Sequence, residues 1–169
     1  MIDIINVDTN DRHKVLECYS LFRDEMEPGY LEDIESFMET VSSNSDPTIT
    51  PCLVGATIDL RFSGAILGVY LRNIGVGVIL YSAVRSELRG RGIYAELRRQ
   101  LTDRLNETAW SKSGENAIAY LISEVATDSP FLERYITRWD AHVPTINYRQ
   151  PAVQGLESKH MTLVFQPIL

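Results

Sequence analysis

Two arginines and two glycines alternate in Arg89-Gly90-Arg91-Gly92, and residues of those types in that order can hold an oxyanion. The segment before them, Val76–Val84, is apolar and rich in β-branched residues, which predicts a buried strand. After them Ile93, Leu97, Leu101 and Leu105 recur every four residues, with Arg98, Arg99, Asp103 and Arg104 as the polar face of a helix. A strand, a tight glycine turn and a helix start leave first-turn N–H groups without internal partners, at the positive end of the helix dipole. Gly90 and Gly92 let the main chain come close to a bulky anion, and Arg89 and Arg91 can add charge-assisted hydrogen bonds. The ligand this implies is a pyrophosphate.

Two common phosphate loops fit the text poorly. A P-loop needs Lys-Ser or Lys-Thr after its second glycine, where Ile93-Tyr94 stands. A dinucleotide fingerprint needs G-x-G-x-x-G at the start of a βαβ unit. Here Ala95 replaces the third glycine, past the middle of the chain. The stretch instead resembles the acetyl-CoA signature of the GNAT superfamily of N-acyltransferases, R/Q-x-x-G-x-G/A after a strand and a short acidic turn. Arg89 to Ile93 follow it, and Tyr94 occupies its final small-residue slot.

The resemblance implies an α+β fold. Its mostly antiparallel sheet would have about seven strands, with one parallel pair splayed apart, and about four flanking helices. It also implies acetyl-CoA as acyl donor, with the pantetheine arm filling the gap like a surrogate strand beside a bulge. The main chain of Ser82, Ala83 and Val84 would bond the arm and the thioester carbonyl, while Arg89, Gly90, Arg91, Gly92, Ile93 and Tyr94 would hold the diphosphate. A fixed N–H at that carbonyl would stabilise the developing oxyanion.

Acyl transfer to an amine needs a base and an acid. Glu124 is the only acidic residue in the apolar run Ile118–Val125 and is the candidate base; a carboxylate paired to an arginine or facing water is the other reading. Tyr135 lies in the segment where the family often carries a tyrosine acid, although Trp139-Asp140 replaces the usual Gly-Phe; a plain core or surface tyrosine is the alternative. Glu25, Glu27 and Tyr30 fall between the first two helices, which border the acceptor cleft in this fold, and could hold a cationic substrate. A solvated helix end explains them equally well. The expected activity is acetyl or short-acyl transfer from acyl-CoA to a primary amine of a small molecule, by direct attack in a ternary complex. The alternatives are a CoA-binding regulatory module without turnover, a protein N-terminal or lysine acetyltransferase, and a nucleotide-binding protein.

The elements that must position these groups follow in chain order. A strand over Ile2–Val7 precedes a helix capped within 8–10 and ending near Met26, then a second helix from about Tyr30 to Val41. Strands over Pro51–Ile58, Gly64–Arg72 and Val76–Val84 are joined by hairpin turns, the first spanning Asp59 to Ser63. The signature helix should run to about Trp110, and Ala117–Val125 should pair parallel with Val76–Val84, because the connection passes through a helix. Ser129-Pro130 opens a last helix reaching about Trp139. Strands near Thr145–Tyr148 and His160–Phe165 close the chain, with a turn at Gln154–Ser158.

The 169 residues suit one domain spanning 1–169, and 44% hydrophobic with 23% charged residues is ordinary for a globular protein. The net charge of −7 argues against nucleic acid as partner. No apolar run is long enough to span a bilayer and no signal-peptide layout stands at the N-terminus, so a cytoplasmic location without membrane contact is expected. Cys18 and Cys52 are read as reduced thiols. His13, His142 and His160 are scattered without ligand spacing, so no metal is expected. A homodimer stays open.

Overall fold

The computed structural model describes residues 2–42, 46–146, 148 and 161–168. Their elements are β1 (Asp3–Val7), α1 (Arg12–Glu25), α2 (Ile34–Ser42), β2 (Ile49–Ile58), β3 (Arg61–Leu71), β4 (Val76–Val84), α3 (Ile93–Ser113), β5 (Tyr120–Ala126), α4 (Phe131–Trp139) and β6 (Met161–Pro167). The strands form one sheet in chain order, antiparallel at every step except the parallel pair β4–β5.

Several boundaries depart from the sequence expectation for local reasons. The α1 cap falls on Asp11, whose carboxylate accepts the Lys14 N–H at 3.3 Å, while Asp8 accepts the Asn10 N–H in the preceding turn. The second helix starts at Ile34 rather than near Tyr30, because Asp33 caps it by accepting the Ser36 N–H at 2.8 Å. α3 runs a turn beyond Trp110, to a left-handed Gly114 whose N–H returns to the Trp110 carbonyl. The β2–β3 turn tightens to Asp59-Leu60, both at positive φ as a type I′ hairpin requires.

The sheet has six strands among the described residues, where about seven were expected. No strand forms at Thr145–Tyr148 among its described positions. The Ile146 N–H turns back to the Pro144 carbonyl, and the sheet's partner in this region is instead His142, bridged to Phe165. The expected turn at Gln154–Ser158 and the start of the last strand at His160 lie outside the described residues.

Each face of the sheet carries its own apolar layer. α1 and α2 bring Val15, Cys18, Phe22, Phe37 and Val41 onto Leu53, Ala65, Leu67 and Ala83. On the other face α3 sets Ile93, Leu97, Leu101 and Leu105 against Val54, Ile66, Tyr70 and Ile79. The helix sits close because the strands offer glycines beneath it. A Cβ on Gly68 would stand 2.9 Å from Leu101, and one on Gly77 would stand 2.8 Å from Leu105. Truncating a leucine from such a layer typically costs about 2–5 kcal/mol. Cys18 and Cys52 are buried free thiols in opposite layers, and burial, with neighbouring Glu17, pushes the Cys18 thiol up to about 12. Among the described residues no helix is long and apolar enough to cross a membrane.

Candidate active site

The cleft begins with one extra residue in β4. Leu67 pairs with Tyr81 but Gly68 pairs with Ile79, so Leu80 is bulged out of the ladder. The parallel pairing of β4 with β5 covers Gly77 to Ile79 and stops at Ile79–Ser123. Beyond it, Tyr81–Val84 keeps pairing only with β3, and Glu124–Ala126 only with β6. The two strands therefore part where the bulge lies, leaving main-chain groups on facing edges without ladder partners.

The bulge also resets which side chains share a face. Ile79 packs in the α3 layer, and strict alternation would put residue 81 beside it. Instead Tyr81 and Ala83 join the α1/α2 layer, while Val84 packs toward α3.

A cavity of about 710 Å³ fills the gap. Ser82, Ala83 and Val84 line it from β4, Glu124 and Val125 from β5, and the glycine turn closes its base. Gly90 and Gly92 stand at φ +79° and +81°, and a Cβ at either would meet nothing within 4 Å. The left-handed backbone demands glycine there, and crowding does not. Arg91 is exposed beside the turn. Arg89 braces it: its Nε donates to the Val84 carbonyl at 3.2 Å, and its guanidinium pairs with Glu25 at 3.0 Å. Glu25, a proposed acceptor residue from the sequence, is thus tied to the donor-side turn and lines the cavity there. Glu27 is exposed, and neither it nor Tyr30 lines the cavity.

Tyr94 turns its ring into the site, edge-on to Phe131 and Trp139 of α4, and its hydroxyl meets that of Tyr135 in a hydrogen bond. The Ser82 hydroxyl interacts with the same phenol. Burial pushes the Tyr94 phenol well up, neighbouring Tyr135 adds to this, and the Arg98 charge opposes it. Arg98 is not on a solvent-facing stripe as its spacing suggested. It is buried at 5% exposure, with its guanidinium 4.4 Å from the Trp139 ring centre and 5.5 Å from that of Tyr135.

On the opposite side of the sheet Glu124 accepts a hydrogen bond from the Tyr148 hydroxyl. Burial, then the Glu124 carboxylate, raise the Tyr148 phenol to about 12. Tyr81 lies between Glu124 and Glu32. Its phenol is raised first by burial, then by Glu32, with a further contribution from Glu124. Glu32 is partly buried just ahead of α2, takes a hydrogen bond from the Thr40 hydroxyl at 3.2 Å, and is itself raised, mainly by burial. Sequence reasoning missed Glu32, Tyr81, Arg98 and Tyr148. For Glu32 and Tyr148 no local signal exists, because partners far along the chain bring them in. For Arg98 the four-residue repeat of α3 itself misled, since α4 and β6 cover the side that would otherwise face water.

No family model matches this chain, and no curated protein matches it in sequence. Solved structures do match. A protein from Desulfovibrio desulfuricans described as an acetyltransferase of the GNAT family aligns over all of both chains, at TM-score 0.72 and 11% identity. The ribosomal-protein-S18-alanine N-acetyltransferase of Escherichia coli aligns over 99% of this chain and 94% of its own, at TM-score 0.67 and 16% identity. A Bacillus subtilis acetyltransferase in complex with CoA aligns over all of both chains, at TM-score 0.66 and 11% identity. The chain has the fold of GNAT acetyltransferases.

Proposed function

We propose that this protein transfers an acetyl or other short acyl group from acyl-CoA to the primary amine of a small molecule, by direct attack in a ternary complex. The observation that carries the reading is a coincidence of two features. The β4–β5 ladder ends at Ile79–Ser123, and the glycine turn opening α3 faces the same cavity. The amides at Gly90–Tyr94 offer N–H groups to a diphosphate, and the parted edge at Ser82–Val84 offers main-chain partners to an amide-bearing arm.

Two polar groups take the proton-transfer roles. Glu124, on the α1/α2 side, removes the proton that the amine carries at neutral pH. The freed nitrogen attacks the thioester carbonyl, whose oxygen becomes an oxyanion beside the β4 edge. The N–C bond forms and the nitrogen sheds its second proton to water. The C–S bond then breaks with its electron pair on sulfur, and Tyr135, on the α4 side, supplies the proton that gives free thiol. Glu124 passes its proton to solvent and water restores the phenol, so each cycle releases one proton overall. Glu124, which lines the cavity, favours an acceptor that arrives as an ammonium ion. Two buried free thiols accord with a reducing, cytoplasmic setting.

The test is calorimetry with CoA, followed by thiol release from acetyl-CoA across a panel of amino sugars, polyamines and amino acids. Binding with amine-dependent release is expected. Binding with no amine-dependent release would leave a CoA-binding module instead, and no heat of association would end the reading.

A further inference from the structure

A buried guanidinium without a counter-charge is costly, and among the described residues α3 carries one where a leucine or methionine would pack. Arg98 is 5% exposed, none of the ion pairs among the described residues includes it, and its Nε has no hydrogen-bond partner among them. Its one side-chain acceptor among the described residues is the neutral amide of Gln166 on β6. Its flat faces are used instead, stacked against Trp139 and Tyr135. It does not line the cavity, so it cannot act by touching an acyl donor.

Next to this cation the three hydroxyls of Ser82, Tyr94 and Tyr135 stand in a row. The order has a chemical direction. A Tyr135 phenol that donates to a leaving thiolate must accept from Tyr94, and Tyr94 can then accept from Ser82. When Tyr135 gives up its proton, negative charge appears on its oxygen, inside an apolar wall of Phe131, Leu132 and Trp139. Charge facing an apolar wall needs a cation or a donor beside it.

We infer that Arg98 and Tyr94 are positioning residues for the acid. Tyr94 holds the Tyr135 hydroxyl by donating to it, and the Arg98 charge stabilises the phenolate left after proton transfer to sulfur. On this account the small-residue slot of the signature carries a tyrosine because its hydroxyl completes the row, and the buried arginine is retained for turnover at the expense of stability. Bond changes are those of the proposed transfer: the Tyr135 O–H bond breaks, an S–H bond forms on CoA, and water returns the proton. The inference rests on the acyltransferase reading given above.

Three variants test it: Arg98→Met, Tyr94→Phe and Tyr135→Phe. Each is compared with the parent in CoA calorimetry, thermal melting, and CoA release from acetyl-CoA with the best amine of the panel. Arg98→Met should melt at or above the parent temperature and bind CoA within about threefold, while kcat falls about tenfold or more. Tyr94→Phe keeps its ring contacts, so it should fold and lose kcat similarly with little change in the KM for acetyl-CoA. Combined with Tyr135→Phe, either change should add little further loss, because the groups act as one unit. If both variants keep kcat within about threefold while Tyr135→Phe does not, the phenol works alone and the inference fails with the acyltransferase reading intact. A full additive loss in the double variants, or a lower melting point with unchanged kcat in Arg98→Met, overturns it as well. A parent that binds no CoA removes the reading itself, a result these variants cannot mimic.

Discussion

The two faces of the parted strands carry opposite chemistry. On the α1/α2 face, Glu32, Tyr81, Glu124 and Tyr148 form a carboxylate-and-phenol group with no guanidinium described among its contacts. On the α3/α4 face, Ser82, Tyr94 and Tyr135 form a row of hydroxyls beside the Arg98 cation, with no carboxylate paired to it among the described residues. The first face suits taking a proton from a cation, the second giving one to an anion. A single bulged residue, Leu80, divides them, because it turns Tyr81 to one side and leaves Ser82 for the other. Glu124 from the first face and Tyr135 from the second both line the cavity between the parted strands, so groups of different surroundings reach one space.

If that division holds, the variants that break it should separate by pH. Tyr135→Phe should have the largest effect, a loss of about a hundredfold in kcat with little change in the KM for acetyl-CoA. Glu124→Gln should lose about tenfold at pH 7, and that loss should shrink toward pH 10, where a typical amine sheds its proton unaided. Up to about pH 8.5, where an ordinary thiol leaving group still needs its proton, the Tyr135→Phe loss should show no such relief. Steady-state rates from pH 6 to 10 decide it; parallel profiles for the two variants would mean that the faces do not divide the work. Next in size is Gly92→Ala. Its left-handed backbone should cost about 1–2 kcal/mol, read as weaker CoA binding in calorimetry, with the kcat of saturated enzyme largely kept.

Much of the scaffold could be read from the chain. The Val76–Val84 run, the glycine turn and the Ile93–Leu105 repeat are local signals, and the parallel β4–β5 pair follows from the helix between them. Ser129-Pro130 foretold α4, where the Ser129 hydroxyl accepts the Phe131 N–H, and α4 delivers Tyr135 to the cavity. A bulge in this region was implied by the resemblance, but its position was not legible, because an extra Leu80 leaves an apolar run looking the same while it inverts every residue after it. Its consequence, Tyr81 meeting Glu32 across the α1/α2 layer, was therefore hidden too. The second helix was expected from about Tyr30, since Leu31 continues the spacing of Ile34 and Phe37, whereas the Asp33 cap starts it at Ile34. Tyr94 was read as part of the diphosphate turn and as a departure from its pattern, but its side-chain contacts were not legible, since they depend on where α4 docks.

A control outside both faces tests that the scaffold and the site are separable. Leu60 is 93% exposed and held at φ +65° in the β2–β3 turn, a conformation that disfavours any Cβ. Leu60→Gly creates the Asp-Gly pair that type I′ turns prefer and should stabilise the fold by up to about 1 kcal/mol in denaturant titration. CoA affinity and kcat should not move; a change in either would mean that the hairpin communicates with the cleft.

The smallest expected effect concerns Glu32, and its sign follows from linkage. Burial raises this carboxyl above the ordinary glutamate value, so the folded chain holds its proton to higher pH than the unfolded chain does. Below the unfolded value of about 4.3 both states are protonated and no penalty exists. As pH rises past that value the unfolded state ionises first, stability falls, and above the raised folded value the loss is complete and constant. Glu32→Gln imitates the protonated form. It should therefore gain roughly 0.5 kcal/mol or less near pH 7, with no gain at about pH 4, in denaturant midpoints measured across that range. The Thr40 and Tyr81 hydroxyls work the other way, since both donate to the ionised carboxylate. A variant less stable than the parent at pH 7 would mean that these bonds outweigh burial. Glu32 would then be a settled structural anion held by Thr40 and Tyr81.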